Sequence, residues 1–119
     1  IVFDADPTMD VMNEETFGPV VAVTTVEDDE AALREANRLE YGLGASVYST
    51  DPQYARSVAS ELEAGSVGIN QTVGSIVELP WGGVKKSGVG RLLGSEGLKK
   101  FTQSVVHRWN PEELSSLGN

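Results

Sequence analysis

The chain has 119 residues, which fits one domain, and 39% of them are apolar, far above the range of disordered chains. Without cysteine it carries no disulfide, thiolate metal site or thiol nucleophile, and its single histidine, His107, offers little for a metal site. The net charge of −9 argues against nucleic-acid binding. No stretch suits a transmembrane helix and no signal peptide opens the chain, so we expect a cytoplasmic protein without a membrane partner.

The two halves of the chain differ in charge and in glycine content. Residues 1–63 carry fourteen acids and three bases, whereas residues 64–119 carry four acids and six bases. Nine of the thirteen glycines lie between Gly65 and Gly97. The second half is therefore expected to contain irregular backbone that turns sharply or approaches something closely.

The first regular elements are a strand and a helix. Residues 20–26 form a β-branched run that is typical of a buried strand. The acids at residues 27–30 suit the first turn of a helix, where the dipole favours negative charge. Apolar residues recur beyond them at helical spacing, so we expect the helix to run to Glu40 and to end at the glycines of residues 42–44.

The same order repeats in the middle of the chain. Residues 45–49 read as a second strand, and Asp51 followed by Pro52 is a strong helix start. Residues 67–70 then read as a third strand. Strand, helix, strand, helix, strand predicts an α/β architecture, mostly a parallel sheet covered by helices. Because three short strands make a thin core, we interpret the chain as part of a larger fold.

Regular structure is expected to stop after residue 70 and to resume near the C-terminus. Residues 95–102 predict a short helix with Leu98 and Phe101 facing inward. Residues 105–109 alternate enough to predict a final strand, and a polar tail follows it.

Three local motifs resemble known sites but lack the context those sites need. The glycines of residues 88–94 are not preceded by the strand that a dinucleotide-binding turn requires. The segment 70–72 matches a glycosylation sequon without a secretory signal. A calcium-loop template matches at Asp4, Asp6, Thr8, Asp10 and Glu15. Met9 stands where that template needs glycine, so no metal site is predicted.

Two segments remain as candidates for function. In residues 14–19 a carboxylate and an aromatic stand two positions apart, and extended backbone would project both to one side. There the carboxylate could accept paired hydrogen bonds from a diol, and the aromatic ring would supply a flat apolar wall. The alternative is a plain acidic turn before a strand. Residues 79–91 place an aromatic, bare amides and cations in one loop, which suits a concave site that could meet an anion. The alternative here is a long structural connection.

Five segments in this order resemble the C-terminal part of the NAD(P)-dependent aldehyde dehydrogenase superfamily. The segments are residues 14–19, 41–48, 64–70, 79–91 and 94–102. The resemblance implies the C-terminal part of that family's α/β catalytic domain over residues 1–103, an oligomerisation strand over 104–110 and a polar tail over 111–119. It also implies a homo-oligomer that associates through residues 104–109.

The resemblance further implies an enzyme that oxidises an aldehyde to a carboxylic acid with NAD or NADP. In that family a cysteine thiolate attacks the aldehyde, a hydride passes to the nicotinamide, and water releases the acid with help from a glutamate base. Glu15 would hydrogen-bond the nicotinamide ribose, and Phe17 would pack near the nicotinamide. Trp81, where most members carry Phe, would be a wall of the substrate pocket, and Asn70 would order the adjoining loop.

The chain also departs from the family pattern. The family's cysteine, glutamate base and glycine-rich dinucleotide segment precede these motifs, so we expect a fragment with no catalytic residue and no activity of its own. Leu92 replaces the acid that commonly follows the equivalent of Arg91. Two alternatives remain open: a noncatalytic module that binds an anion through residues 82–94, and an assembly element whose last strand drives association.

Overall fold

The computed structural model describes residues 1–110. Four helices and four strands follow one another in these residues. The helices are α1 (Asp10–Asn13), α2 (Asp29–Arg38), α3 (Pro52–Ser60) and α4 (Gly94–Lys99). The strands are β1 (Tyr41–Gly42), β2 (Gly44–Val47), β3 (Ser66–Ile69) and β4 (Val84–Lys85).

Capping carboxylates start the two longer helices: that of Asp51 was predicted, whereas Asp28 was expected in the first turn and instead precedes it. The Asp28 side chain accepts a hydrogen bond from the Ala31 N–H (2.7 Å) ahead of α2. The Asp51 side chain accepts from the N–H groups of Gln53 (2.9 Å) and Tyr54 (3.2 Å), with proline in the first turn of α3. These bonds satisfy donors that a helix start leaves unpaired. α2 is two residues shorter than predicted.

Strands β2 and β3 form a parallel pair connected through α3. Their register runs from Gly44 opposite Ser66 to Val47 opposite Ile69. α3 packs on both strands, and its Ala55 is completely buried against them. A parallel pair with a helical crossover confirms the predicted α/β architecture.

The β-branched segment 20–26 forms less structure than its sequence predicts. Ala22 makes a single parallel bridge with Val2, and no longer strand is formed. Val21 is 59% exposed, so the prediction of a buried strand is wrong for the described chain. A β-branched run gains its stability from packing on both faces, and here residues 1–5 provide only an edge.

The core is correspondingly small. In residues 1–110 the only buried hydrophobic side chains are those of Ala5 and Ala55. Leu98 and Phe101 are 73% and 86% exposed, so the prediction that they face inward is wrong. Their helical spacing is present, but within residues 1–110 these two side chains are left largely uncovered.

A pairing that the sequence analysis missed connects distant parts of the chain. β1 and β4 pair antiparallel, with Tyr41 opposite Lys85. A further antiparallel bridge joins Trp81 to Leu92 through two 2.7 Å backbone hydrogen bonds. The loop predicted to be irregular is therefore held at both ends by backbone pairing.

Glycines allow the middle of this loop to pack tightly. A Cβ on Gly65 would overlap the carbonyl oxygen of Gly82, and a Cβ on Gly82 would overlap that of Gly90. Three stretches of main chain therefore touch without intervening side chains, the close approach that the glycine-rich composition predicts.

The C-terminal part of the described chain forms no strand. Residues 103–110 are exposed and without regular structure, and Val105 and Val106 point into solvent. The predicted oligomerisation strand does not form within this chain, and its pairing with another subunit stays a prediction. The predicted polar tail, residues 111–119, lies outside the described residues. None of the helices formed by residues 1–110 has the length and apolar character to cross a membrane.

Candidate functional site

The acidic turn of residues 14–19 leaves α1 at an anchored point. The Glu14 N–H donates to the Asp10 carbonyl oxygen (2.7 Å). The Asn13 side chain donates to the Pro7 carbonyl oxygen (2.7 Å) and accepts from the Arg38 guanidinium (2.5 Å). Because Arg38 lies in the last turn of α2, these bonds fix the start of the acidic turn relative to that helix.

Phe17 is the most exposed of the large hydrophobic side chains among the described residues. It is 94% exposed, and its backbone has a φ of +47°. A bulky residue in the left-handed region is strained, and such strain concentrates at functional sites. The same φ means that the segment is not continuously extended. The prediction that Glu15 and Phe17 project to one side through extended backbone therefore does not hold at Phe17.

Glu15 lies on the wall of a cavity between the first residues of the chain and the end of α2. This cavity has a volume of about 410 Å³ and lies between residues 11–15, the end of α2, the start of β2 and residues 62–64. Its lining combines aliphatic side chains, including Leu39 and Leu62, with the carboxylates of Glu14, Glu15 and Glu63. Apolar walls with a few polar groups at defined positions are typical of a ligand site.

Trp81 lies on the wall of a second cavity, of about 240 Å³. The other walls come from the start of β3, residues 71–74, Ile76 and residues 79–80. The backbone bridge to Leu92 holds the partly buried Trp81 in place, and cross-strand partners project to the same face. Glu15 and Trp81 therefore line different cavities, and Phe17 lines neither of these two.

Asn70 acts on backbone rather than on a cavity. Its side-chain oxygen accepts from the Ser49 N–H (2.8 Å), and its side-chain nitrogen donates to the Ser49 carbonyl oxygen (2.9 Å). Its own N–H donates to the Val47 carbonyl oxygen (2.8 Å), and its φ is +54°. Asn70 thus closes the carboxyl ends of β2 and β3, which supports the expectation that it orders the following loop.

The three cations of the glycine-rich loop are all engaged within the chain. Arg91 donates to the carbonyl oxygens of Gly83 (2.7 Å) and Gly90 (3.0 Å). Lys86 pairs with Glu40, and this hydrogen-bonded carboxylate raises the pKa of the lysine. Because these charges are used internally, the loop is a poor candidate for the anion site considered from its sequence.

Lys85 stabilises the end of α2, a contact that sequence reasoning missed. Its ammonium donates to the carbonyl oxygens of Asn37 (2.6 Å) and Leu39 (3.1 Å) and forms an ion pair with Glu63 (2.6 Å). The Asn37 side chain in turn accepts from the Glu63 N–H (2.8 Å). Lys85 therefore caps the end of α2 from 46 residues away. Only the rule that the last helical carbonyls need donors could have suggested such a partner.

Known proteins resemble this chain over most of its length. A model of the aldehyde dehydrogenase family matches residues 1–106. A succinate-semialdehyde dehydrogenase [NADP(+)] of Deinococcus radiodurans is 43% identical over 93% of this chain and 23% of its own length. A peroxisomal aminoaldehyde dehydrogenase of Pisum sativum is 43% identical over 95% of this chain and 23% of its own length.

A solved structure of Staphylococcus aureus betaine aldehyde dehydrogenase in complex with NAD+ matches with a TM-score of 0.80 and 42% identity. That match covers 83% of this chain and 20% of the relative. The chain thus spans between a fifth and a quarter of the length of these relatives. By sequence and by fold, this chain belongs to the aldehyde dehydrogenase family.

Proposed function

We propose that this chain is the C-terminal part of an NAD(P)-dependent aldehyde dehydrogenase that oxidises an aldehyde to a carboxylic acid. Its family membership over residues 1–106 supports this proposal, as do the relatives that are named for aldehyde oxidation. The chain has no cysteine, so a thiol nucleophile comes from elsewhere in the enzyme. The chain alone is then inactive and contributes walls of the cofactor and substrate sites.

The observation that carries the cofactor side of the proposal is the exposed, strained Phe17 beside exposed Glu15. A carboxylate can accept paired hydrogen bonds from a ribose diol, and an aromatic ring offers a flat apolar surface to a nicotinamide. The residues present therefore fit NAD or NADP, which accepts a hydride when bound. In this proposal Glu15 orients the nicotinamide ribose, and the phenyl ring of Phe17 limits the positions that the nicotinamide ring can take.

On the substrate side, Trp81 forms one wall of the aldehyde pocket. Its indole is larger than the phenyl ring common in the family and would narrow the pocket. The backbone bridge to Leu92 supports this role because it fixes the base of the side chain. Asn70 acts behind the wall: by closing the ends of β2 and β3 it sets the path of residues 71–80 toward Trp81.

The proposal includes a cytoplasmic homo-oligomer that associates through residues 104–109. The exposure of Val105, Val106 and Trp109 supports association, since apolar side chains of this size are stabilised by burial. Pairing this segment with a strand of another subunit would cover them. The same surface also favours the assembly element as a second candidate function.

The experiment that tests the proposed function is a single-chain fusion. This chain replaces the matched fifth of the S. aureus betaine aldehyde dehydrogenase, and NAD+ reduction with betaine aldehyde is measured. We expect activity from the fusion and none from the 119-residue chain alone. A folded but inactive fusion, or NAD+ reduction by the chain alone with any aldehyde, would contradict the proposal.

A further inference from the structure

The loop that follows β3 folds back over one face of the β2–β3 pair. Gly44 and Ser46 stand two positions apart in β2 and therefore share a face, and Gly68 of β3 lies opposite Ser46 in the register. This face thus presents two glycines and one hydroxyl group to the loop. Val73 is partly buried, whereas the other residues of segment 71–80 are exposed. Val73 is therefore the point at which the loop is attached to the strand pair.

Three contacts make this attachment. The Val73 N–H donates to the Ser46 hydroxyl oxygen (3.2 Å). The Val73 side chain lies directly over Gly44, where an added Cβ would overlap one of its methyl groups. The Gln71 carbonyl oxygen lies over Gly68 in the same way. The two glycines thus leave the space that the loop occupies, and the Ser46 hydroxyl holds Val73 in that space.

The attached segment forms part of the cavity that contains Trp81. Residues 71–74 line this cavity of about 240 Å³ together with the start of β3 and residues 79–81. The width of the cavity therefore depends on where the backbone of Val73 is held. Ser46 does not itself line the cavity, so its hydroxyl can affect the shape of the cavity only through the loop.

We propose that Ser46 is a positioning residue for the aldehyde pocket, and that its hydrogen bond to Val73 sets the distance between the loop and Trp81. The inference rests on the proposed function, in which Trp81 forms one wall of that pocket. The pairing of β2 with β3 holds Ser46 in place, and the hydrogen bond passes this rigidity to the exposed loop. The aldehyde is affected rather than the cofactor, because Glu15 and Phe17 do not line this cavity.

The first test measures the contact itself in the 119-residue chain. Hydrogen–deuterium exchange at the Val73 amide is compared between the unchanged chain and Ser46→Ala. Loss of one ordinary hydrogen bond should make this amide exchange about 5-fold faster. Ser57→Ala is the matched control, because the Ser57 hydroxyl donates to the Tyr54 carbonyl oxygen within α3 (2.7 Å). Equal exchange at Val73 in both variants would overturn the proposal.

The second test separates positioning from stability in the single-chain fusion. Ser46→Ala should raise the KM for betaine aldehyde about 5-fold, the factor given by one ordinary hydrogen bond, and should leave the KM for NAD+ unchanged. Ser46→Thr keeps the hydroxyl and should keep the aldehyde KM close to that of the unchanged fusion, and Ser57→Ala should alter neither KM.

Two results of this kinetic test have different meanings. An active fusion whose aldehyde KM ignores Ser46→Ala, or whose two KM values rise together, would overturn the proposal and leave the proposed function standing. An inactive fusion would instead contradict the proposed function, and exchange at the Val73 amide would still decide whether Ser46 positions the loop.

A pair of variants tests the packing of Val73 over Gly44. Gly44→Ala adds a methyl group that overlaps the Val73 side chain, so it should displace the loop and raise the KM for betaine aldehyde. Val73→Ala removes the overlapped methyl group and leaves an ordinary contact of 3.6 Å between the two Cβ atoms. The double variant should therefore have a lower aldehyde KM than Gly44→Ala alone. Independent, additive effects of the two substitutions would overturn the attachment of the loop at Val73.

Discussion

Replacing Lys85 by methionine tests whether the end of α2 depends on a donor from β4. The substitution keeps an unbranched side chain of similar length and removes the ammonium. It leaves the carbonyl oxygens of Asn37 and Leu39, now at 2.6 and 3.1 Å from that ammonium, without this donor. Hydrogen bonds of this kind contribute about 1 kcal/mol each where water can replace part of the interaction.

The ion pair with Glu63 adds to this loss. Glu63 is well exposed, so its pairing with Lys85 contributes at most about 1 kcal/mol. The expected total for Lys85→Met is therefore about 2–3 kcal/mol. With a urea dependence near 1–1.5 kcal/mol per molar, the unfolding midpoint should fall by roughly 2 M.

The assay is urea unfolding of the 119-residue chain followed by far-ultraviolet circular dichroism. Lys86→Met is the matched control: it removes a neighbouring lysine whose ion pair with Glu40 is exposed on both sides, and it should cost less than about 1 kcal/mol. If the two variants unfold at the same urea concentration, the capping role assigned to Lys85 is refuted.

Three further predictions concern single side chains. In the active fusion, Glu15→Gln should slow hydride transfer, measured as a single-turnover burst, while Glu14→Gln leaves it unchanged; equal rates for both would contradict the ribose contact. In the chain itself, Asn70→Ala should destabilise by about 2 kcal/mol in urea unfolding, because two hydrogen bonds to the Ser49 backbone are lost; an unchanged midpoint would refute the closure of β2 and β3. Hydrogen bonds from the Thr8 hydroxyl and N–H lower the pKa of Asp6. The stability that they contribute is present above the ordinary aspartate pKa and is lost as the pH falls through the lowered one. Thr8→Val should raise the Asp6 pKa in an NMR titration, and an unmoved pKa would exclude the hydroxyl as its main cause.

Local signals in the sequence were sufficient for the helices that begin with a carboxylate. Asp28 and Asp51 cap α2 and α3 through side-chain bonds within three residues, so both helix starts could be predicted from neighbouring residues alone. The parallel pairing of β2 with β3 also followed, because a helix between two strands restricts the connection to few topologies.

Interactions across long separations could not be predicted in this way. The pairing of Tyr41 with Lys85 has no periodic signature in either segment, and the role of Lys85 at the end of α2 depends on that pairing. The inward orientation predicted for Leu98 and Phe101 was wrong for a related reason. Helical spacing identifies an apolar face, but it does not tell whether another part of the structure covers that face. Among the described residues Leu98 and Phe101 stay largely exposed.

The candidate site was predicted only in part. The backbone at Phe17 adopts a positive φ, which no extended-segment argument anticipates for an aromatic residue. The sequence assigns Glu15 to a cofactor side and Trp81 to a substrate side; the structure places the two residues in different cavities, and their roles stay predictions. The Asn70 side chain bonds both backbone groups of Ser49, and its role in ordering the substrate-side loop stays a prediction.

The glycine contacts of the loop have a consequence for how this protein could evolve. Gly65 and Gly82 meet neighbouring main chain directly, so the path of the loop is set by atoms that every amino acid shares. Exposed side chains such as Ile76 and Leu79 take no part in those contacts. Such side chains could therefore be replaced one at a time without moving the loop backbone, whereas a single methyl group added at either glycine would displace the main chain that it meets.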